Sequence, residues 1–193
     1  MAVEFELKFS ATDAVLSVLR EKTEGTEKHF DMRTTYYDTK AGDLSARHWT
    51  LRLRKENDAS VCTLKVPAEN SARAETEVLC DNIEAAIPML CKQSGLDELA
   101  HLTKEGVVPV CGAAFHRVAK TFMFEGTKIE LALDQGILMG GGRKIPLCEV
   151  ELELKEGDPT LLRTYATVLA ATYGLTPEKH SKFRRALDLA KGE

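Results

Sequence analysis

Glu149, Glu151 and Glu153 fall two apart in a run whose intervening residues, Val150 and Leu152, are apolar. Side chains alternate between the faces of an extended strand, so these three carboxylates share one face about 7 Å apart. The same spacing recurs in Glu4, Glu6 and Lys8, in Arg52 and Arg54, in Thr63 and Lys65, in Arg73, Glu75 and Glu77, and in Glu130 with Asp134. A solvated face of a half-buried sheet is the ordinary account of one such strand. It accounts less well for the whole set, because neighbouring carboxylates repel and Glu is a poor strand former. The signs also divide: the first strand and the Glu149 strand are mainly acidic, whereas the Arg52 strand and Lys65 are basic. That division suits a site in which carboxylates hold oxygen-preferring divalent cations and bases hold a polyanion.

The elements that must position these residues read as short strands with helices between and after them. Residues 3–9 alternate strictly and form one expected strand. Further strands are expected at 31–38, 49–55, 60–66 and 73–79, in an antiparallel meander with a loop over 67–72. Strands at 115–124 and 127–134 flank a Glu125-Gly126 hairpin signal, and Gly140, Gly141 and Gly142 make a turn before a strand at 145–154. Ser10 or Thr12 can cap a helix through Val15, Leu16, Val18 and Leu19 that ends near Gly25, and 82–93 reads as a helix that Pro88 kinks or divides. Asp158 caps a helix with Pro159 at its first position and Gly174 at its end, and 177–191 reads as a last helix. The sum is an α+β protein without the strand–helix alternation of a parallel sheet, and no Rossmann or P-loop glycine pattern occurs. Apolar residues opposite the charges, such as Phe5, Leu7, Phe9, Ile129, Leu131, Val150 and Leu152, can pack outward against helices while charge lines a closed barrel.

With 193 residues, 44% apolar and 29% charged, the chain suits one soluble domain, or a domain with a small appendage. A net charge of −4 gives no global field for nucleic acid or an acidic membrane, so any anion must be held by local positive charge. Cys62, Cys80, Cys91, Cys111 and Cys148 include no C-x-x-C pair, which argues against a zinc site or redox dithiol and favours a reducing cytoplasm. Residues 1–6 lack the apolar stretch of a signal peptide and no long apolar run follows, so secretion and membrane insertion are not expected. The five histidines show no ligand spacing and read as ordinary.

Glu4-Phe5-Glu6-Leu7-Lys8 resembles the ExExK signature of the CYTH superfamily, the triphosphate tunnel metalloenzymes. The likeness continues in order through Tyr36-Tyr37-Asp38, Leu51-Arg52-Leu53-Arg54, Thr63-Leu64-Lys65, 73–77, Arg117, 129–136, 149–153 and Ser181-Lys182. ExExK alone is a weak signal and the ordered set a specific one; 132–136 and 146–154 look most like bacterial inorganic triphosphatases. The resemblance implies a single domain over 1–193, folded as a closed eight-stranded antiparallel β-barrel with helices packed outside. It implies a triphosphate-containing small molecule as substrate, Mg²⁺ or Mn²⁺ as cofactor, and Glu4, Glu6, Asp134, Glu149, Glu151 and Glu153 as metal ligands. Lys8, Arg52, Arg54, Lys65, Arg73, Arg117 and Lys182 would hold phosphate oxygens, and Arg185 either joins them or is a helical surface residue. Glu75, Glu77 and Glu130 would orient the bases, with Glu130 and Asp134 read equally as second-metal ligands or orienting partners. Tyr36 and Lys65, with Lys8, are the implied catalytic groups, because some relatives place a tyrosine near a lysine on neighbouring strands. Relatives often carry another base two residues after the arginine matched by Arg117; here that residue is Ala119. Hydrolysis of tripolyphosphate to pyrophosphate and phosphate leads. Thiamine or nucleoside triphosphate hydrolysis, class IV adenylate cyclase chemistry and a non-catalytic polyphosphate-binding module are the alternatives.

Overall fold

Alternation of charged and apolar residues builds one antiparallel sheet, and its strands run further than the patterning marks. The computed structural model describes residues 2–68 and 73–192, with side chains from Phe5 onward. The loop expected over 67–72 thus lies largely outside the described residues, as does the Glu4 side chain. In chain order the elements are β1 (Ala2–Glu4), β2 (Glu6–Ser10), α1 (Asp13–Lys22), β3 (Lys28–Asp38), α2 (Asp43–Ala46), β4 (Thr50–Glu56), β5 (Ala59–Pro67) and β6 (Arg73–Leu79). There follow α3 (Ile83–Ser94), α4 (Asp97–Leu102), β7 (Val108–Phe124), β8 (Thr127–Gly140), β9 (Arg143–Glu156), α5 (Pro159–Tyr173), β10 (Thr176–Pro177) and α6 (Lys182–Lys191). Among the described residues no helix is long and apolar enough to cross a membrane.

The strand order is β1-β6-β5-β4-β3-β7-β8-β9-β2-β10. Two expectations change here. The strand expected at 3–9 breaks at Phe5, so that β1 pairs with β6 while β2 pairs with β9. The order therefore has two ends, and the sheet is not closed by hydrogen bonds into an eight-stranded barrel. Consecutive segments on either side of Phe5 nevertheless reach strands at opposite ends of the sheet, so the chain itself spans between them.

Local chemistry explains most boundaries. Glu125 and Gly126 both take positive φ, +46° and +82°, the geometry a two-residue hairpin between right-twisted strands requires. Thr12, Asn82, Asp158 and Ser181 each accept a backbone N–H from the first turn of α1, α3, α5 and α6. Pro88 stays inside a single α3, because the buried face of Ile83, Ala86, Ile87, Leu90 and Cys91 holds the helix where a backbone hydrogen bond is missing. The helix expected at 177–191 starts only at Lys182, since Thr176 and Pro177 pair with Ser10 and Phe9.

The apolar faces pack outward in two separate cores. Leu51, Leu64 and Val78 meet Ile83, Leu90 and Leu99 of α3 and α4 on one half of the sheet. Phe9, Leu131, Val150 and Leu152 meet Leu16, Leu19, Leu162 and Leu169 of α1 and α5 on the other. Helix α6 departs from the expectation that helices pack outside. Its Ala186 is buried with Met32, Ala113, Phe115, Leu138 and Leu147, which share strand faces with Thr34, Arg117, Asp134 and Glu149. The helix thus lies across the charged face, and Gly140 permits it: a Cβ there would come within 2.2 Å of the Ala186 carbonyl oxygen.

Candidate active site

Register aligns the charged positions across strands. Glu6 lies opposite Glu153, Lys8 opposite Glu151, and Asp134 opposite both Arg117 and Glu149. Asp134 and Glu149 are fully buried, and a buried charge is tolerable only with close partners. The partners are cations. Arg117 donates to both Asp134 oxygens at 2.6 and 2.7 Å and also to Glu151. The Lys182 ammonium reaches Asp134 at 2.8 Å, Glu151 at 2.7 Å and Glu149. Arg185 closes the cluster, donating to Glu149 and, at 3.3 Å, to Glu178. It thus reaches the carboxylate cluster from α6, with its side chain largely buried.

Burial pushes the Glu149 carboxyl up to about 7, against the pull of Lys182. Burial works the same way on Glu151, but Lys182 and Arg117 outweigh it and hold that carboxyl well below the usual range. Within this touching pair, burial thus drives one carboxyl upward while the neighbouring cations drive the other downward. Burial also opposes the Lys182 charge, yet Asp134, Glu151 and Glu149 together keep the ammonium firmly protonated.

Strands β4, β5 and β6 bring a second group together. Arg52 meets Glu75 at 3.2 Å and Glu77 at 3.6 Å, and Lys65 meets Glu75 at 2.9 Å. Glu77 also accepts the Thr63 hydroxyl at 2.9 Å. Arg54 is buried, donating to Thr34 at 3.2 Å with Glu56 at 3.3 Å, and Arg73 donates to the His48 carbonyl. Among the described residues the Nε atoms of Arg52 and Arg73, like that of Arg185 beside the first cluster, are buried with no hydrogen-bond partner. Guanidinium N–H groups that have lost water and gained nothing are donors in want of an acceptor.

Other expected residues sit at the margins. Glu6 and Lys8 pair at 3.2 Å on β2. Tyr36 is buried opposite Arg52 with its ring 5.1 Å from that of Phe183, and β4 separates it from Lys65, so the two are not on neighbouring strands. Ala119 lies opposite Lys28 and Ala132. Lys155, which pairs with Glu153 at 2.8 Å and Glu130 at 3.5 Å, escaped the sequence reading, although extending the Glu149–Glu151–Glu153 alternation by two residues reaches it. Glu178 had no such signal; it joins the site because β10 folds back on β2, its N–H reaching the Lys8 carbonyl at 2.8 Å.

Asp134, Glu149 and Glu151 offer carboxylate oxygens within 4.8 Å of one another, an all-oxygen donor set of the kind that suits Mg²⁺ or Mn²⁺. The Lys182 ammonium takes up the same three acceptors, so a cation there would replace it. Glu6, exposed, and Glu153, half-buried, lie opposite in register and add carboxylates paired with Lys8 and Lys155. The residues fit a hard divalent cation.

Fold and site together define an antiparallel sheet with apolar outer faces and one charged face on which acidic and basic residues oppose each other. The chain belongs to the CYTH-domain family, whose pattern matches residues 2–187. It is 30% identical over 126 residues, 64% of its length, to an inorganic triphosphatase from Haemophilus influenzae, of which the match covers 36%. Two solved structures share the fold at TM-score 0.64. One is a Hippeastrum protein with a dominant triphosphatase activity, 20% identical and covering 100% of this chain and 97% of that one. The other is a Pyrococcus horikoshii protein, 23% identical and covering 96% and 99%.

Proposed function

We propose that this chain hydrolyses a triphosphate, with inorganic tripolyphosphate as substrate and pyrophosphate and phosphate as products, inside a tunnel made by the curled sheet. One observation carries the reading: the partnerless buried guanidinium N–H groups of Arg52 and Arg73, on β4 and β6, which share the charged face of the sheet but stand apart in strand order from the oxygen-only cluster on β8 and β9. Phosphate oxygens satisfy such donors, and guanidinium forks suit paired phosphate oxygens. The triphosphatase activity attributed to the Haemophilus and Hippeastrum relatives supports the same reaction class. Closure of the tunnel would be covalent, through the chain on either side of Phe5, since β1 and β2 join strands at opposite ends of the order.

In this reading Arg52, Arg54, Lys65 and Arg73 bind the phosphate chain from one wall, and Lys8 and Arg117 reach it from the other. Glu75 and Glu77 keep Arg52 and Lys65 aimed inward through the ion pairs they already make. Glu6, Asp134, Glu149, Glu151 and Glu153, with Glu4, would hold Mg²⁺ or Mn²⁺, which supplies charge neutralisation and lowers the pKa of water. The test is incubation with tripolyphosphate, ATP and thiamine triphosphate in Mg²⁺ or Mn²⁺, with chromatographic identification of products. Pyrophosphate and phosphate in equal amounts, lost in Glu6→Gln/Glu151→Gln, are expected. Cyclic AMP from ATP, or tripolyphosphate left intact, would overturn the reading.

A further inference from the structure

Away from the charged face, four side chains at the β3–β7 junction form a linear array. His29 Nδ1 and His116 Nε2 face each other at 3.1 Å, although the residues are 87 positions apart in the chain. The outward nitrogen of each ring meets a carboxylate: His29 Nε2 lies 3.1 Å from Glu27, and His116 Nδ1 lies 2.9 Å from Asp31. We propose that His29 and His116 form a surface site for a nitrogen-preferring divalent transition metal of the Zn²⁺ class, with Glu27 and Asp31 as the outer carboxylates that orient the two rings.

Geometry is the first support. Two imidazole nitrogens bound to a tetrahedral Zn²⁺ at about 2.0–2.1 Å stand about 3.3 Å apart, within a few tenths of an ångström of the spacing already present. Both rings are about half exposed, at 44% and 46%, so they can tilt until their lone pairs converge, and water can complete the coordination. The second support is the pattern of protons. A metal-bound imidazole donates its far N–H to a carboxylate, which fixes the tautomer and raises ligand basicity. Both rings here have that carboxylate in place, on the nitrogen away from the shared gap.

The array is also held before any metal arrives. Arg20 grips Glu27 through contacts of 3.0 and 2.7 Å, with Lys120 at 3.3 Å. Asn57 accepts the Asp31 N–H at 2.8 Å and donates to the His29 carbonyl at 3.2 Å, fixing the strand that carries both residues. Imidazole selects Zn²⁺, Ni²⁺ or Cu²⁺, whereas the cluster at Asp134, Glu149 and Glu151 is all oxygen, so the two sites differ in preference and do not depend on each other.

The experiment is a Zn²⁺ titration of the full chain in excess Mg²⁺, followed by calorimetry and by NMR of the imidazole nitrogens. One Zn²⁺ should bind with shifts at His29 and His116, and His29→Ala or His116→Ala should each weaken that binding about tenfold or more. Asp31→Asn should weaken it by roughly tenfold, the usual consequence of losing an outer carboxylate, while circular dichroism stays unchanged. Absence of Zn²⁺ binding, binding that leaves these two imidazoles unmoved, or equal affinity in His116→Ala would each overturn the proposal.

Discussion

An ammonium group buried among three carboxylates is stable only while all four groups stay in place. Lys182 is 7% exposed and meets Asp134, Glu149 and Glu151 at once. Replacing it by Met keeps the volume and removes the charge, leaving fully buried Asp134 and Glu149 with only Arg117 and Arg185 as counter-charges. Lys182→Met should therefore cost about 3–5 kcal/mol in urea unfolding of the chelator-treated protein. Millimolar Mg²⁺ or Mn²⁺ should recover part of the loss, because a divalent cation can serve the same carboxylates. A loss below about 1 kcal/mol, or no recovery, would contradict this placement of Lys182. The alternation of Glu149, Glu151 and Glu153 marked the shared face, but not which cation each carboxylate would meet. That depends on register: Arg117 finds Asp134 only because β7 and β8 pair with those two residues opposite, a long-range choice no local pattern encodes. The same limit hid the His29–His116 pair, whose members look ordinary until β3 and β7 align.

At the scale of elements, the position of α6 decides whether Lys182 and Arg185 reach the cluster at all. The helix packs against β7, β8 and β9, where Gly140 brings it close: a Cβ there would meet the Ala186 carbonyl oxygen at 2.2 Å and the Ala190 nitrogen at 2.8 Å. Those are backbone atoms, so the helix must move. Gly140→Ala should cost about 1–3 kcal/mol, as overpacking does, and should lower hydrogen-exchange protection of α6 amides by about tenfold while β8 and β9 keep theirs. Unchanged protection in α6 would show that the helix is not held by this contact. Sequence patterning located the longer strands and the caps at Thr12 and Asp158 because periodicity and capping are local, while the caps at Asn82 and Ser181 went unread. It missed the break at Phe5 because the alternation continues through it, Glu4 and Glu6 keeping their spacing while their strands part to different partners. It began the last helix five residues early because Thr176 and Pro177 join β2, a tertiary pairing without local signature.

At the scale of the whole molecule, two apolar cores lie on separate halves of the sheet, and the charged face lies opposite both. The halves are joined by β3–β7 pairing and by the chain around Phe5. A triphosphate held by bases of β4–β6 and by Lys8 and Arg117 would bridge them, and binding confined to the folded state raises stability by mass action. At about 100 times Kd that is about 2.7 kcal/mol. For a chain of this size it corresponds to a rise in Tm of roughly 5–11 °C. Arg52→Gln should lose most of this rise while keeping a folded baseline, because Glu75 retains Lys65 at 2.9 Å when Arg52 is gone. The rise should also shrink as salt is added, since several charge contacts contribute and exposed ends of the site are screened. Thermal scans with tripolyphosphate, against sulfate at matched ionic strength, make the comparison. An equal rise in Arg52→Gln, or a sulfate effect as large as that of tripolyphosphate, would mean that the ligand does not bridge the two halves through this wall.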